Sequence, residues 1–223
     1  MIENFQEFLT IGAEWTENYE FPRLQLCHEI PENLVAFSKR KEARELNSYV
    51  HFFEKDEKIL PFARTPRKYF SQLSQFKGVI GCDVSVYVNM PFPRQLYHTF
   101  WNRALTFWLQ NCGLSVIPNV RYADEGSYSY CFEGIPKNSV ISIGTHGCIK
   151  KTEDILMHKK GIPETIKQLK PEAILFYGTI NDDMEFILRK EKVHYVIFPS
   201  DTSLVYKSRE EDKKYPLFEE LSA

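Results

Sequence analysis

Four stretches of the chain carry side chains that could do chemistry. The first, Gly81-Cys-Asp-Val-Ser85, offers Asp83 and Ser85. The second, Asn119-Val-Arg-Tyr-Ala-Asp-Glu125, supplies an amide, the Arg121 guanidinium and the carboxylates of Asp124 and Glu125. The third, Gly144-Thr-His-Gly-Cys148, places Thr145 and His146 between glycines, and Tyr177 ends an apolar run that starts at residue 173. Arg121 could hold a phosphate or carboxylate through two parallel hydrogen bonds. Asp83 or Glu125 could serve as general acid or base, and His146 could exchange a proton near neutral pH. The expected catalytic set is therefore Asp83, Glu125 and His146. The expected ligand-holding set is Ser85, Asn119, Arg121, Asp124, Thr145 and Tyr177. Each has a plainer reading: Asp83 as a turn cap, Arg121 with a carboxylate as a loop brace, and His146 as a turn residue bonded to backbone.

A metal site could be drawn from Cys82, Asp83, His146 and Cys148, but the spacing fits no zinc signature and no metal is expected. Gly-x-Gly-x-x-Gly, the phosphate-loop pattern, His-Glu-x-x-His and Gly-x-Ser-x-Gly are all absent from the sequence, which lowers the standing of the enzyme classes that use them. The sequence names no cofactor.

What must position these residues is a series of short β-segments. Candidate strands fall at 34–37, 49–53, 79–85, 115–121, 139–145, 173–177 and 194–198. Helices are expected at 67–75, 93–112, 127–132, 152–169 and 182–190, with Pro near the first turn of the longest, Gly113 just past its end, and Thr152 as a plausible N-cap. The charged run 39–45 reads as a solvated loop or helix face. Asn102 and Arg103 interrupt the aromatic 93–112 helix, where structural hydrogen bonds are expected. Strand–helix repeats imply a parallel sheet. The expected fold is α/β, a TIM-like barrel, complete or incomplete, with an open doubly wound sheet as the alternative.

Side chains alternate faces along a strand. On that rule Ile80 and Cys82 oppose Gly81, Asp83 and Ser85. Val116, Pro118 and Val120 oppose Ile117, Asn119 and Arg121. Ile141 and Ile143 oppose Ser142, Gly144 and His146, and Ile174 and Phe176 oppose Leu175 and Tyr177. One face is apolar throughout. The other turns polar toward the C-terminal end of each strand, where parallel α/β folds place their ligands.

The chain has 223 residues, 14% aromatic, with a formal net charge of −2. One domain over 1–223 is expected, with an N-terminal arm at 1–30 and a charged tail at 207–223. The mild acidity argues against general coating of nucleic acid. The five cysteines form no Cys-x-x-Cys pair and no apolar stretch reaches 18 residues, so a cytoplasmic protein with free thiols and no membrane partner is expected. A small anionic ligand, a host protein and a second copy of the chain all remain open as partners.

Residues 76–87 (Phe-Lys-Gly-Val-Ile-Gly-Cys-Asp-Val-Ser-Val-Tyr), Asn89-Met-Pro91, Trp101-Asn-Arg103, Val116-Ile-Pro-Asn-Val-Arg-Tyr122, Cys131-Phe-Glu-Gly-Ile-Pro136 and Ile143-Gly-Thr-His-Gly-Cys148 together resemble domain-of-unknown-function family 4417. The resemblance spans roughly residues 30 to 200 and implies a protein of bacteria, their phages and mobile elements. It assigns no activity to any residue. Where similar proteins tend to carry Ser-Pro-Asp-x-Ser, this chain keeps the Asp and the Ser. Three functional classes follow: a binder or enzyme acting on a small anionic ligand, a nucleotide-like one among the candidates; a non-enzymatic factor that binds a host protein or sequesters a defence signal; and a replication-associated nucleic-acid binder.

Overall fold

The computed structural model describes residues 6–145 and 152–200, together with Ser203. Among these, seven strands form, and each pairs with its neighbour in parallel. β1 (Leu34–Ala36), β2 (Tyr49–His51), β3 (Gly78–Ile80) and β4 (Val116–Ile117) make one sheet in that order, and β5 (Val140–Gly144), β6 (Ala173–Tyr177) and β7 (His194–Phe198) make a second. A parallel bridge between Asn119 and Ser142 lies between them, with Val120 N–H donating to the Ser142 carbonyl (2.8 Å) and Ser142 N–H to that of Pro118 (2.9 Å). The strand order therefore follows the chain order and does not reverse among the described strands.

The helices are α1 (Asp56–Arg64), α2 (Pro66–Leu73), α3 (Phe92–Asn111), α4 (Thr152–Leu169) and α5 (Asp182–Lys190). Their ends follow local chemistry. Pro93 sits in the first turn of α3, where its missing N–H costs nothing, and Gly113 takes the positive φ (+87°) that ends it. The Asn181 side chain accepts from Met184 N–H at the start of α5, whose first turn is acidic and last turn basic, as the helix dipole favours.

Three apolar clusters divide the core. One packs Val50, Val79 and Val116 against α1, α2 and α3. A second packs Ile141, Ile143, Ile174 and Phe176 against α4 and α5. The third gathers side chains from strands of both sheets: Tyr49, Ile80, Ile117, Val140, Leu175, Tyr177 and Phe198, with Leu34 and Val196 at its edge. Ring contacts from His51 to Tyr177 (4.1 Å between centroids) and from Phe53 to Tyr177 (5.2 Å) join the ends of β2 and β6. These are the two faces that alternation predicts, one under helices and one turned inward.

The predicted 79–85 strand is the main departure. The ladder stops at Ile80 apart from one further bond, Gly81 N–H to the Ile117 carbonyl (2.8 Å), and the chain from Cys82 bonds to α3. Cys82 N–H donates to Thr106 Oγ1 (3.2 Å), and the Asn102 amide serves both Val84 N–H (2.7 Å) and the Val84 carbonyl (2.9 Å). Ile80 consequently faces the inward cluster while Cys82 packs in the outer one. The predicted pairing of those two on one face is corrected by this break in register. The 115–121 strand is likewise shorter, as Val116–Ile117, and the 127–132 helix is a 3-10 turn at Glu125–Ser129. Residues 9, 21, 24 and 27 of the arm are buried against the body, and the tail at 207–223 lies outside the described residues.

Candidate functional site

The C-terminal ends of β3, β4 and β5 bring four of the polar side chains together. Asn119 lies in the strand extension after β4, on the same face as Ile117. Its amide donates to Asp83 Oδ1 (2.8 Å) and to the Cys82 carbonyl (3.2 Å), and its Oδ1 accepts from Ser142 Oγ (3.4 Å). Asn119 is thus a strut tying three segments. Arg121, two residues on and again on that face, approaches Asp83 Oδ2 with Nη1 at 3.4 Å. The Asp83 side chain is 8% exposed and that of Arg121 18%, so the pair is largely buried, with Arg121 keeping some exposure. Gly144, opposite, carries no Cβ because one would fall 2.7 Å from the Phe53 ring.

Beside Arg121 a narrow recess opens between the strand ends and α4, lined by Val120, Arg121, Tyr122, Ile143, Gly144, Met157 and His158. Its size suits one oxygen-sized group. The buried positions His158, Gly161, Ile162, Thr165 and Leu169 recur at helical spacing and form the inner stripe of α4. Gly161 lets the helix approach closely, since a Cβ there would meet the Tyr122 ring at 2.4 Å. His158 is 2% exposed, and its Nδ1 lies 2.9 Å from Tyr122 Oη. Its other ring nitrogen, Nε2, is buried and has no hydrogen-bond partner among the described residues. Burial, and then the nearby Arg121 charge, hold its pKa down at about 4, so the ring is neutral at physiological pH.

The remaining predicted residues are used differently. Ser85 donates through both N–H (3.1 Å) and Oγ (2.9 Å) to Asp56 Oδ1 at the start of α1, away from Asp83. Glu125 is exposed and pairs with Lys160 on the outside of α4. Asp124 is exposed at the head of the 3-10 turn, where its carbonyl accepts from Ser127. Thr145 is buried and donates to the Tyr177 carbonyl (3.2 Å), while the Tyr177 ring stacks with Phe53. His146 and Cys148 lie outside the described residues, and the Cys82 thiol is buried, which raises its pKa well above the usual thiol range.

Sequence reasoning missed two residues. His51 shares the inward parity of Tyr49 and Phe53, an alternation visible in residues 49–53. His158 occupies a position on the apolar stripe of α4 where an aliphatic side chain would be expected. A titratable residue on a core stripe is the signal that could have found it.

The parallel strands with their helical cover and polar rim define an α/β protein of the strand–helix repeat type. A family model described as Domain of unknown function (DUF4417) matches residues 13–195, and the chain belongs to that family. It is similar to the Gene 1 protein of Mycobacterium phage L5, 28% identical over 182 residues that cover 79% of this chain and 80% of the phage protein. It is also similar to the Gene 1 protein of Mycobacterium phage D29, 25% identical over 182 residues covering 79% of this chain and 67% of that protein. No solved structure matches. Among the described residues no helix is long and apolar enough to cross a membrane.

Proposed function

We propose that the chain binds a small molecule bearing an oxyanion, a phosphate or a carboxylate, at the C-terminal ends of β3, β4 and β5. Arg121 holds the anion. Asp83 orients Arg121 and is the acid–base group if the bound molecule is turned over, and Asn119 fixes Asp83. The seven strands are read as one incomplete barrel whose mouth is this rim; the inward cluster shared by strands of both sheets supports that reading. The observation that carries the proposal is the meeting of Asp83, Asn119, Arg121 and Ser142 from three neighbouring strands, with the Arg121 side chain not fully buried.

The test is thermal stabilisation by inorganic phosphate, pyrophosphate and nucleoside monophosphates. The wild-type chain is expected to gain stability with at least one of them, as any ligand confined to the folded state requires, and Arg121→Ala is expected to lose that gain while still folding. Equal gains in both proteins, or no gain in the wild type, would end the proposal. A second reading, a protein partner, is supported by Tyr87, Val88, Phe92 and Tyr97, which are all exposed along the segment after β3 and the first turns of α3. It predicts no dependence on Arg121.

A further inference from the structure

We propose that His158 is a ligand-contacting residue of this rim site, its Nε2 donating a hydrogen bond to an oxygen of the anion that Arg121 holds. The proposal rests on the reading of the rim given above. The geometry supplies each part. His158 and Arg121 line the same recess. Tyr122 Oη stands 2.9 Å from Nδ1, and a phenol donating to Nδ1 leaves the ring's proton on Nε2. In that tautomer Nε2 carries the proton, and it is buried with no partner among the described residues. A buried unpaired donor is costly, so one that persists calls for an explanation.

The recess explains which group would satisfy it. With room for one oxygen-sized group it takes a single oxygen and excludes a ring or a chain, so the rest of the molecule must lie outward, toward Asp83 and Arg121. The lining is otherwise apolar, from Val120, Ile143 and Met157. A neutral Nε2–H there favours an acceptor, and Arg121 beside it favours a negatively charged one. A phosphate oxygen bonded by Nε2–H and by the guanidinium meets both demands. Tyr128, whose ring packs edge-on against Tyr122, stands behind the tyrosine and backs the Tyr122–His158 pair.

The experiment titrates the full chain with inorganic phosphate by calorimetry, using the wild type, His158→Phe and His158→Gln, and follows the wild-type imidazole nitrogens by NMR. Phe keeps the ring and removes the donor; Gln restores an N–H. A hydrogen bond to a charged acceptor corresponds to a loss of about tenfold or more in affinity, so His158→Phe is expected to bind phosphate at least about tenfold more weakly and His158→Gln to recover most of that loss. Phosphate is also expected to shift the Nε2 resonance of the wild type, a response that a merely structural histidine would not give. Equal affinity in all three proteins, or phosphate bound without moving Nε2, overturns the role of His158 and leaves the Arg121 reading standing. Failure of the wild type to bind phosphate overturns both.

Discussion

Arg103, midway along α3, and Arg121, beyond the end of β4, carry the same guanidinium into different surroundings. Arg103 is 2% exposed. It donates through Nε to the Glu133 carbonyl (2.9 Å) and through Nη2 to the Cys131 carbonyl (2.5 Å). Burial pushes its pKa down to about 10, which still leaves it charged at neutral pH. Its bonds hold the turn at residues 131–134, and the N-terminal arm lies on that turn, with Leu24 N–H donating to the Gly134 carbonyl (2.7 Å). Arg121, by contrast, faces a carboxylate at the longer distance of 3.4 Å and is less buried, beside an imidazole nitrogen that has no partner among the described residues. A cation clasped by main-chain oxygens in a sealed space is a pin. A cation at a strand end, less buried and next to a ring nitrogen without a partner among the described residues, is the one we propose an incoming anion engages.

The sharpest way to break the comparison is to remove the pin. Arg103→Met keeps much of the stem and strips both donors from the Cys131 and Glu133 carbonyls. Orphaned buried acceptors cost about 1–3 kcal/mol each, so the variant is expected to lose roughly 2–5 kcal/mol of stability in urea unfolding. Arg103→Lys should recover little, since one ammonium cannot present the two-pronged geometry. A loss under about 1 kcal/mol would mean that the turn does not depend on Arg103.

The asymmetry between these arginines was only half legible in the sequence. The interruption of an aromatic helix by Asn102 and Arg103 pointed to structural hydrogen bonds, and both make them. The later strands and helices, at 152–169, 173–177, 182–190 and 194–198, match the structure because caps and breakers bound them: Asn181 before α5, and Pro171 between α4 and β6. The first half was harder to read. α1 carries Pro61 inside it, which hides a helix from pattern reading. β3 ends early because α3 side chains take over its backbone bonds, a tertiary effect that no local pattern encodes. Alternation alone brought Asn119, Arg121 and Ser142 to one face. It could not say that Glu125 turns outward to Lys160, or that a histidine seven residues into α4 comes to lie beside Arg121.

The second prediction sharpens the contrast from the side of the recess. His158 is held near pKa 4 in the folded chain, against an ordinary value of 6.5. Between those values the unfolded chain binds the proton and the folded chain does not, so stability falls as pH drops from about 6.5 to 4 and the loss is complete below the lower value. The shift corresponds to about 3 kcal/mol. Urea unfolding across this range is expected to show the wild type losing about that much more than His158→Gln, which has no titrating ring. Parallel pH profiles would mean that the recess admits solvent to the imidazole and does not hold it neutral.

The smallest expected effect is also the most telling, because it repeats the first substitution at the other arginine. Arg121→Met removes a charge that is partly exposed and paired at 3.4 Å. Asp83 would keep its bond from Asn119 (2.8 Å), so the carboxylate left behind is still partly satisfied, and the pair given up is a long one. Urea unfolding should therefore show a smaller loss than Arg103→Met. The same variant should bind no phosphate in calorimetry. A stability loss equal to that of Arg103→Met would show Arg121 to be a second pin, its apparent openness an accident of packing. A stable variant that still binds phosphate would move the anion away from β4 altogether.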